Sequence, residues 1–158
     1  MAEVIEFGGF VYPRSTKDGA DSAKPPGESA ILALNPKREA AILRVTGWAH
    51  LYPGTLNVRV EPQDLESILL LSPLIKELPG DLVYPTRWAH IPKLRGGYLY
   101  YSGELRWVNG STDVLFRRAC NPSSLCCLEV FASSRLREHP GVDDDTKVYC
   151  VVCGSPPT

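Results

Sequence analysis

The sequence predicts a mostly-β domain, most economically a small barrel, with one or two short helices. Three observations point that way. Thirteen glycines and fourteen prolines in 158 residues make about one residue in six, above the ~12% usual in globular chains. Punctuation this dense favours many short elements. Several segments alternate apolar and polar residues with the period of a half-buried strand, Leu56, Val58 and Val60 against Asn57 and Arg59 being the clearest. No heptad and no repeat of 20–50 residues is present to support a coiled coil or a solenoid.

Taken in order, Val4 to Tyr12 reads as a strand with a kink at Gly8-Gly9. Pro13 to Glu28 is polar and rich in Gly, Pro and Ser, which predicts a long loop. Loops of that length inside a small domain are often lids or binding loops. Ala30 to Leu34 is a short strand candidate. Pro36 to Val45 carries good helix formers behind Asn35, a candidate N-cap. Pro53-Gly54 makes a turn into the strand Leu56 to Val60. Asp64 to Leu78 reads as a helix with Leu65, Ile68 and Leu69 on one face, broken or restarted at Pro73 and closed by Pro79-Gly80. Two strands, Tyr98 to Tyr101 and Glu104 to Val108, flank Ser102-Gly103. Val114 to Phe116 follows an Asn109-Gly110 turn. Cys126 to Phe131 and Lys147 to Cys153 complete the set. The whole chain, 1–158, is read as one domain, long enough to bury roughly 70% of its unfolded surface.

Seventeen Lys and Arg against eighteen Asp and Glu leave a net charge of −1. A domain whose affinity rests on phosphate backbones carries a basic excess, so nucleic acid is not the expected partner. No apolar stretch reaches the ~18–20 residues that span a bilayer, and no membrane partner is expected. The amino terminus lacks a basic region followed by an apolar one, which predicts a cytoplasmic protein. Five cysteines, Cys120, Cys126, Cys127, Cys150 and Cys153, crowd the last quarter of the chain. Cys150 and Cys153 have the spacing of half a zinc site or a redox pair. Val151 and Val152 between them read as strand, so buried reduced thiols are the preferred reading over metal.

Three places could carry chemistry. In Gly54-Thr55-Leu56-Asn57, residues 55 and 57 lie on one face of an extended chain. They would present a hydroxyl and an amide oxygen together, while Leu56 anchors the strand. Neutral oxygens of this kind suit a hard cation such as Mg²⁺, which takes its other ligands from water and phosphate. A turn leading into a solvated strand face would look the same. Glu129 stands within the apolar run Leu128 to Ala132, where an unpaired carboxylate is costly to bury. It is expected either to pair with Arg or Lys or to face a hydrogen-bonding ligand. Ser133-Ser134-Arg135-Leu136-Arg137-Glu138 follows, and arginines at a strand end suit phosphate through their planar forks. A solvated charge run is the plainer alternative. Trp48, Trp88 and Trp107 could stack on a flat heterocycle but more often serve a core. No phosphate-binding P-loop, HExxH or Ser-His-Asp order occurs.

Taken together these features resemble one family. Tyr52-Pro53-Gly54-Thr55-Leu56-Asn57-Val58 is similar to the YPGTLNV signature of the archaeal-type, CTP-dependent riboflavin kinases. Leu128-Glu129-Val130-Phe131-Ala132 with Leu136-Arg137-Glu138 resembles that family's later E-x-x-A and LRE segment. The acidic turn Asp143-Asp144-Asp145 and the strand after it resemble its final strand, so the likeness spans residues 28 to 153. The resemblance implies a six-stranded, Greek-key-like cradle-loop barrel and transfer of a phosphoryl group from CTP to riboflavin, giving FMN and CDP. It implies Mg²⁺ on Thr55 and Asn57, flavin on Asn121 and Glu129, and nucleotide on Ser134, Arg135, Leu136 and Arg137. The family's amino-terminal G-x-G-x-G run has no counterpart. Gly8-Gly9 and the Pro13 to Glu28 loop stand in its place, and Asn121 stands where the family has Thr. Those departures leave as alternatives another nucleotide donor, a non-catalytic flavin- or nucleotide-binding barrel, or a regulatory interaction domain.

Overall fold

A computed structural model describes residues 3–13, 36–52, 54–78, 81–83, 97–120 and 127–155. Strand β1 (Val4–Val11) turns Phe7 and Val11 inward and leaves Val4, Glu6 and Phe10 exposed. The same alternation runs through β2 (Leu56–Arg59), where Leu56 and Val58 are buried and Asn57 and Arg59 exposed, as the spacing predicts. The remaining strands are β3 (Ile75–Leu78), β4 (Asp81–Val83), β5 (Tyr98–Trp107), β6 (Gly110–Ala119), β7 (Cys127–Phe131) and β8 (Lys147–Cys153). Two helices, α1 (Pro36–Thr46) and α2 (Pro62–Ile68), and a 3₁₀ turn at Leu136–Glu138 complete the described elements.

Six strands close into a ring. β1 pairs with β2, β2 with β7, β7 with β6, β6 with β5, β5 with β8, and β8 returns to β1. Every pairing is antiparallel, and the chain skips around the ring between β2 and β5 and between β7 and β8, which gives Greek-key connectivity. Closure removes the open edges that invite strand addition. The β3–β4 hairpin lies outside the ring and pairs with the first residues of β5, Ile75 opposite Tyr100 and Glu77 opposite Tyr98.

Gly103 permits the closure. It sits opposite Val114 of β6 on one side and Val152 of β8 on the other. A Cβ at this position would lie 2.0 Å from the Val151 carbonyl oxygen and 2.6 Å from the Phe116 ring. The sequence suggests a break at Ser102-Gly103, but β5 runs through it unbroken. The glycine marks a close approach of two strands, the other common meaning of Gly within a strand.

The pleat sorts apolar residues into two cores. Inside the barrel lie Phe7, Val58, Leu105, Phe116, Leu128, Val130 and Val148, joined by Leu65 and Ile68 of α2. On the outer face, Ala41 and Ile42 of α1 pack with Leu51, Ile75, Tyr100, Leu115 and Phe131. Helix α1 therefore shields one outer stretch of sheet.

The helix expected over Asp64 to Leu78 is corrected. It spans Pro62–Ile68, turns through Leu69 to Leu71, and the chain emerges as β3. Helical hydrogen bonding is over by Leu71, two residues before Pro73, which has no N–H to resume it, and cross-strand bonds to β5 then outweigh local helix propensity. The expected Ala30 to Leu34 strand, the Asn35 cap, the Pro79-Gly80 turn, residues 14–28 of the long loop, Trp88, Cys126 and Asn121 lie outside the described residues. No helix among the described residues is long and apolar enough to cross a membrane.

Cys150 points into the barrel core, while Cys153, an odd number of residues later on the same strand, faces the other way. The two thiols cannot share a metal ion. Burial pushes Cys127 and Cys150 up to about 12, with help from nearby carboxylates. Two outcomes are expected. Both thiols should resist alkylation at pH 8 in the folded protein, read by mass spectrometry. Stability should also fall as pH rises above the ordinary thiol value of 9.0, because the unfolded chain loses those protons and the folded one keeps them. Fast modification of Cys127 at pH 8 would contradict this.

Candidate functional site

The barrel brings the two chemistry-bearing motifs together. Asn57 on β2 stands directly opposite Glu129 on β7, although 71 positions separate them in sequence. Both alternate with core residues, Asn57 between Leu56 and Val58 and Glu129 between Leu128 and Val130, so both face outward. Thr55 precedes β2 and is half-buried. Ahead of it, the Tyr52 N–H donates to the Ala132 carbonyl at 3.0 Å, which ties the start of the first motif to the end of the second. Gly54 lies under the Tyr52 ring, where an added Cβ would sit 2.8 Å from ring atom Cε2.

Tyr12 is a further link. Its N–H donates to the Asn57 carbonyl at 2.8 Å, and its own carbonyl accepts from Arg137 Nη2 at 2.9 Å. Arg137 also donates to Asp144 through Nη1. The acidic turn is docked on the end of β1 by Asp145 N–H to the Val11 carbonyl, 2.8 Å, and Val11 N–H to the Thr146 carbonyl, 2.9 Å. Asp145 adopts a positive φ of 61° there, a conformation that Asp tolerates better than most residues. Arg137 thus pins together β1, the 3₁₀ turn and the acidic turn.

The residues expected to bind nucleotide separate into two kinds. Leu136 is buried in the barrel core and anchors the turn. Ser134 is exposed and Arg135 half-buried, so these two face solvent beside the Glu129 strand end.

Glu129 is paired, one of the two outcomes expected for it. Arg117, its register partner on β6, donates Nε to Glu129 Oε2 at 2.7 Å and Nη2 to the same oxygen. The Arg117 side chain is 3% exposed and that of Glu129 27%. The guanidinium lies over the Tyr98 ring at 4.2 Å and the Phe131 ring at 5.1 Å. Tyr100, opposite Arg117 on β5, donates its hydroxyl to Glu77 at 2.7 Å, and Glu77 is held by Arg38 of α1 at 2.8 Å. Burial first, and then the Glu77 carboxylate, keeps the Tyr100 hydroxyl protonated far above the usual tyrosine range.

Sequence reasoning misses Arg117 and Tyr12. Arg117 and Arg118 are adjacent, and only strand register shows that the first faces outward beside Glu129. Arg118 instead turns inward to the Leu65 carbonyl at 2.8 Å. Tyr12 acts through its backbone, which leaves no mark in residue type.

Thr55 and Asn57 supply neutral oxygens at a strand start, a pair that would suit a hard divalent cation that keeps several ligands from water or phosphate. Among the described residues no cluster of three or more His, Cys, Asp and Glu offers an alternative metal centre. No protein-family model matches the chain, and no curated protein matches it.

Proposed function

We propose that this chain is a Mg²⁺-dependent riboflavin kinase of the archaeal, CTP-dependent type. The observation that supports the reading most is the convergence just described: Asn57 opposite Glu129, with Tyr12 joining Asn57 to Arg137. Motifs far apart in sequence meet on the outer face of a closed barrel, which supports the reading.

In this reaction the 5′-hydroxyl oxygen of riboflavin bonds to the γ-phosphorus of CTP as the bond to the β–γ bridging oxygen breaks. CDP leaves, and the hydroxyl proton passes to solvent. Thr55 and Asn57 would hold Mg²⁺, which when bound would supply charge neutralisation at the phosphates. Glu129 accepts a hydrogen bond from the flavin and orients it. Ser134 and Arg135 contact the nucleotide, and Leu136 and Arg137 fix the turn that presents them. Catalysis of this kind rests on positioning and electrostatics.

Titrating riboflavin with protein and following quenching of flavin fluorescence tests the binding half. Stoichiometric quenching is expected. Glu129→Gln should weaken it by about tenfold or more, the worth of one hydrogen bond to a charged acceptor. Equal affinity in wild type and Glu129→Gln would remove Glu129 from the flavin site.

A further inference from the structure

We propose that Arg117 is the positioning residue that presents Glu129 to the imide N–H edge of the flavin ring. The inference rests on the riboflavin kinase reading and adds a residue that neither motif contains.

The geometry is specific. Tyr100, Arg117, Glu129 and Asn57 form one row across four adjacent strands, β5, β6, β7 and β2. All four lie on the outer face of the barrel. Burial grades along the row, from the fully covered Tyr100 through Arg117 to the half-exposed Glu129 and the exposed Asn57. The two charges therefore sit in the middle of the row, the cation covered and the carboxylate toward the open side.

Both Arg117 donors converge on Oε2 of Glu129. A carboxylate gripped by two N–H groups on one oxygen loses its freedom about the last torsion. Oε1 is then the oxygen that a ligand N–H would meet. The guanidinium cannot swing away easily, because the Tyr98 and Phe131 rings hold it. Behind Tyr98 and Tyr100 stands the buried Arg38–Glu77 pair, which fixes the hydroxyl end of Tyr100. A charge this deeply covered is expensive to keep unless it is paired. The pair with Glu129 balances the Arg117 charge through Nε and Nη2 and spends one oxygen of the carboxylate.

Isoalloxazine carries an imide, an N–H flanked by two carbonyls. An ionised carboxylate with one oxygen committed offers a single acceptor to that N–H. Methylation of the imide nitrogen removes the donor and places a methyl group against Oε1.

The experiment compares riboflavin with N3-methylriboflavin by fluorescence quenching and as substrate, in wild type, Arg117→Met, Arg117→Lys and Glu129→Gln. Wild type is expected to prefer riboflavin by about tenfold or more. Arg117→Met should raise the riboflavin KM by a similar factor, leave the CTP KM unchanged, and abolish the preference over the methylated flavin. Glu129→Gln should lose the same preference. Arg117→Lys keeps a buried cation but not the two-donor grip, so it keeps the fold and regains only part of the preference. It serves in place of Arg117→Met if that variant does not fold. Wild-type preference retained in both Arg117 variants, with unchanged riboflavin KM, would overturn the inference and leave the kinase reading standing. A wild-type protein that neither quenches riboflavin nor forms FMN would overturn both.

Discussion

Replacing Asn57 by alanine is expected to lower FMN formation roughly 100-fold or more, the scale on which single groups that stabilise charge in phosphoryl transfer act. The fold should survive the change. Asn57 is exposed, and its structural bond is made by its backbone carbonyl to Tyr12, which alanine keeps. The thermal midpoint should therefore move by no more than about 2 °C, as for other surface substitutions away from packing contacts. Thr55→Ala should behave alike. Raising Mg²⁺ should restore part of the lost rate in either variant if the defect lies in metal affinity. Full activity in both variants would exclude these residues as metal ligands.

The second large effect concerns stability. Gly103→Ala should cost roughly 3 kcal/mol or more, at the upper end of overpacking. The added carbon would meet the Val151 carbonyl oxygen at 2.0 Å, backbone that can move only by parting β5 from β8. A loss of that size lowers the midpoint by roughly 6–12 °C in a domain of this length. Gly8→Ala is the matched control on β1. Its Cβ would sit 3.7 Å from the Lys147 side chain, an ordinary contact, so the change should stay within about 1 kcal/mol. Equal midpoints for the two variants, read by circular dichroism, would show that Gly103 is not the closure point.

Much of this architecture is legible in the residues, and the reasons for the rest are physical. The strand β2 follows from alternation, because one of its faces is core and the other solvent. Alternation says which residues share a face but not which strand lies next door. Pairing is a long-range fact, so the meeting of Asn57 with Glu129 is not legible in spacing. The same limit hides Arg117, since Arg117 and Arg118 are indistinguishable until register sends one out and one in. β3 is misread as helix for a different reason. Its Ile-Lys-Glu-Leu composition leans toward helix, and the decision belongs to β5, which supplies its hydrogen bonds. Gly103 is misread because a glycine that makes a turn and a glycine that admits a neighbouring strand look the same in sequence.

Glu129 shows how far chemistry can be read ahead of structure. Its apolar neighbours announce a carboxylate in need of a partner, and Arg117 is one. That pairing and a flavin contact are compatible, because the grip falls on Oε2.

The measurement that bears most directly on the account is FMN formation by the purified chain with riboflavin, Mg²⁺ and either CTP or ATP, separated by HPLC. FMN with CTP, lost on removing Mg²⁺ and sharply reduced in Asn57→Ala, is the predicted result. No FMN with either nucleotide, from protein that is folded by circular dichroism, would contradict it.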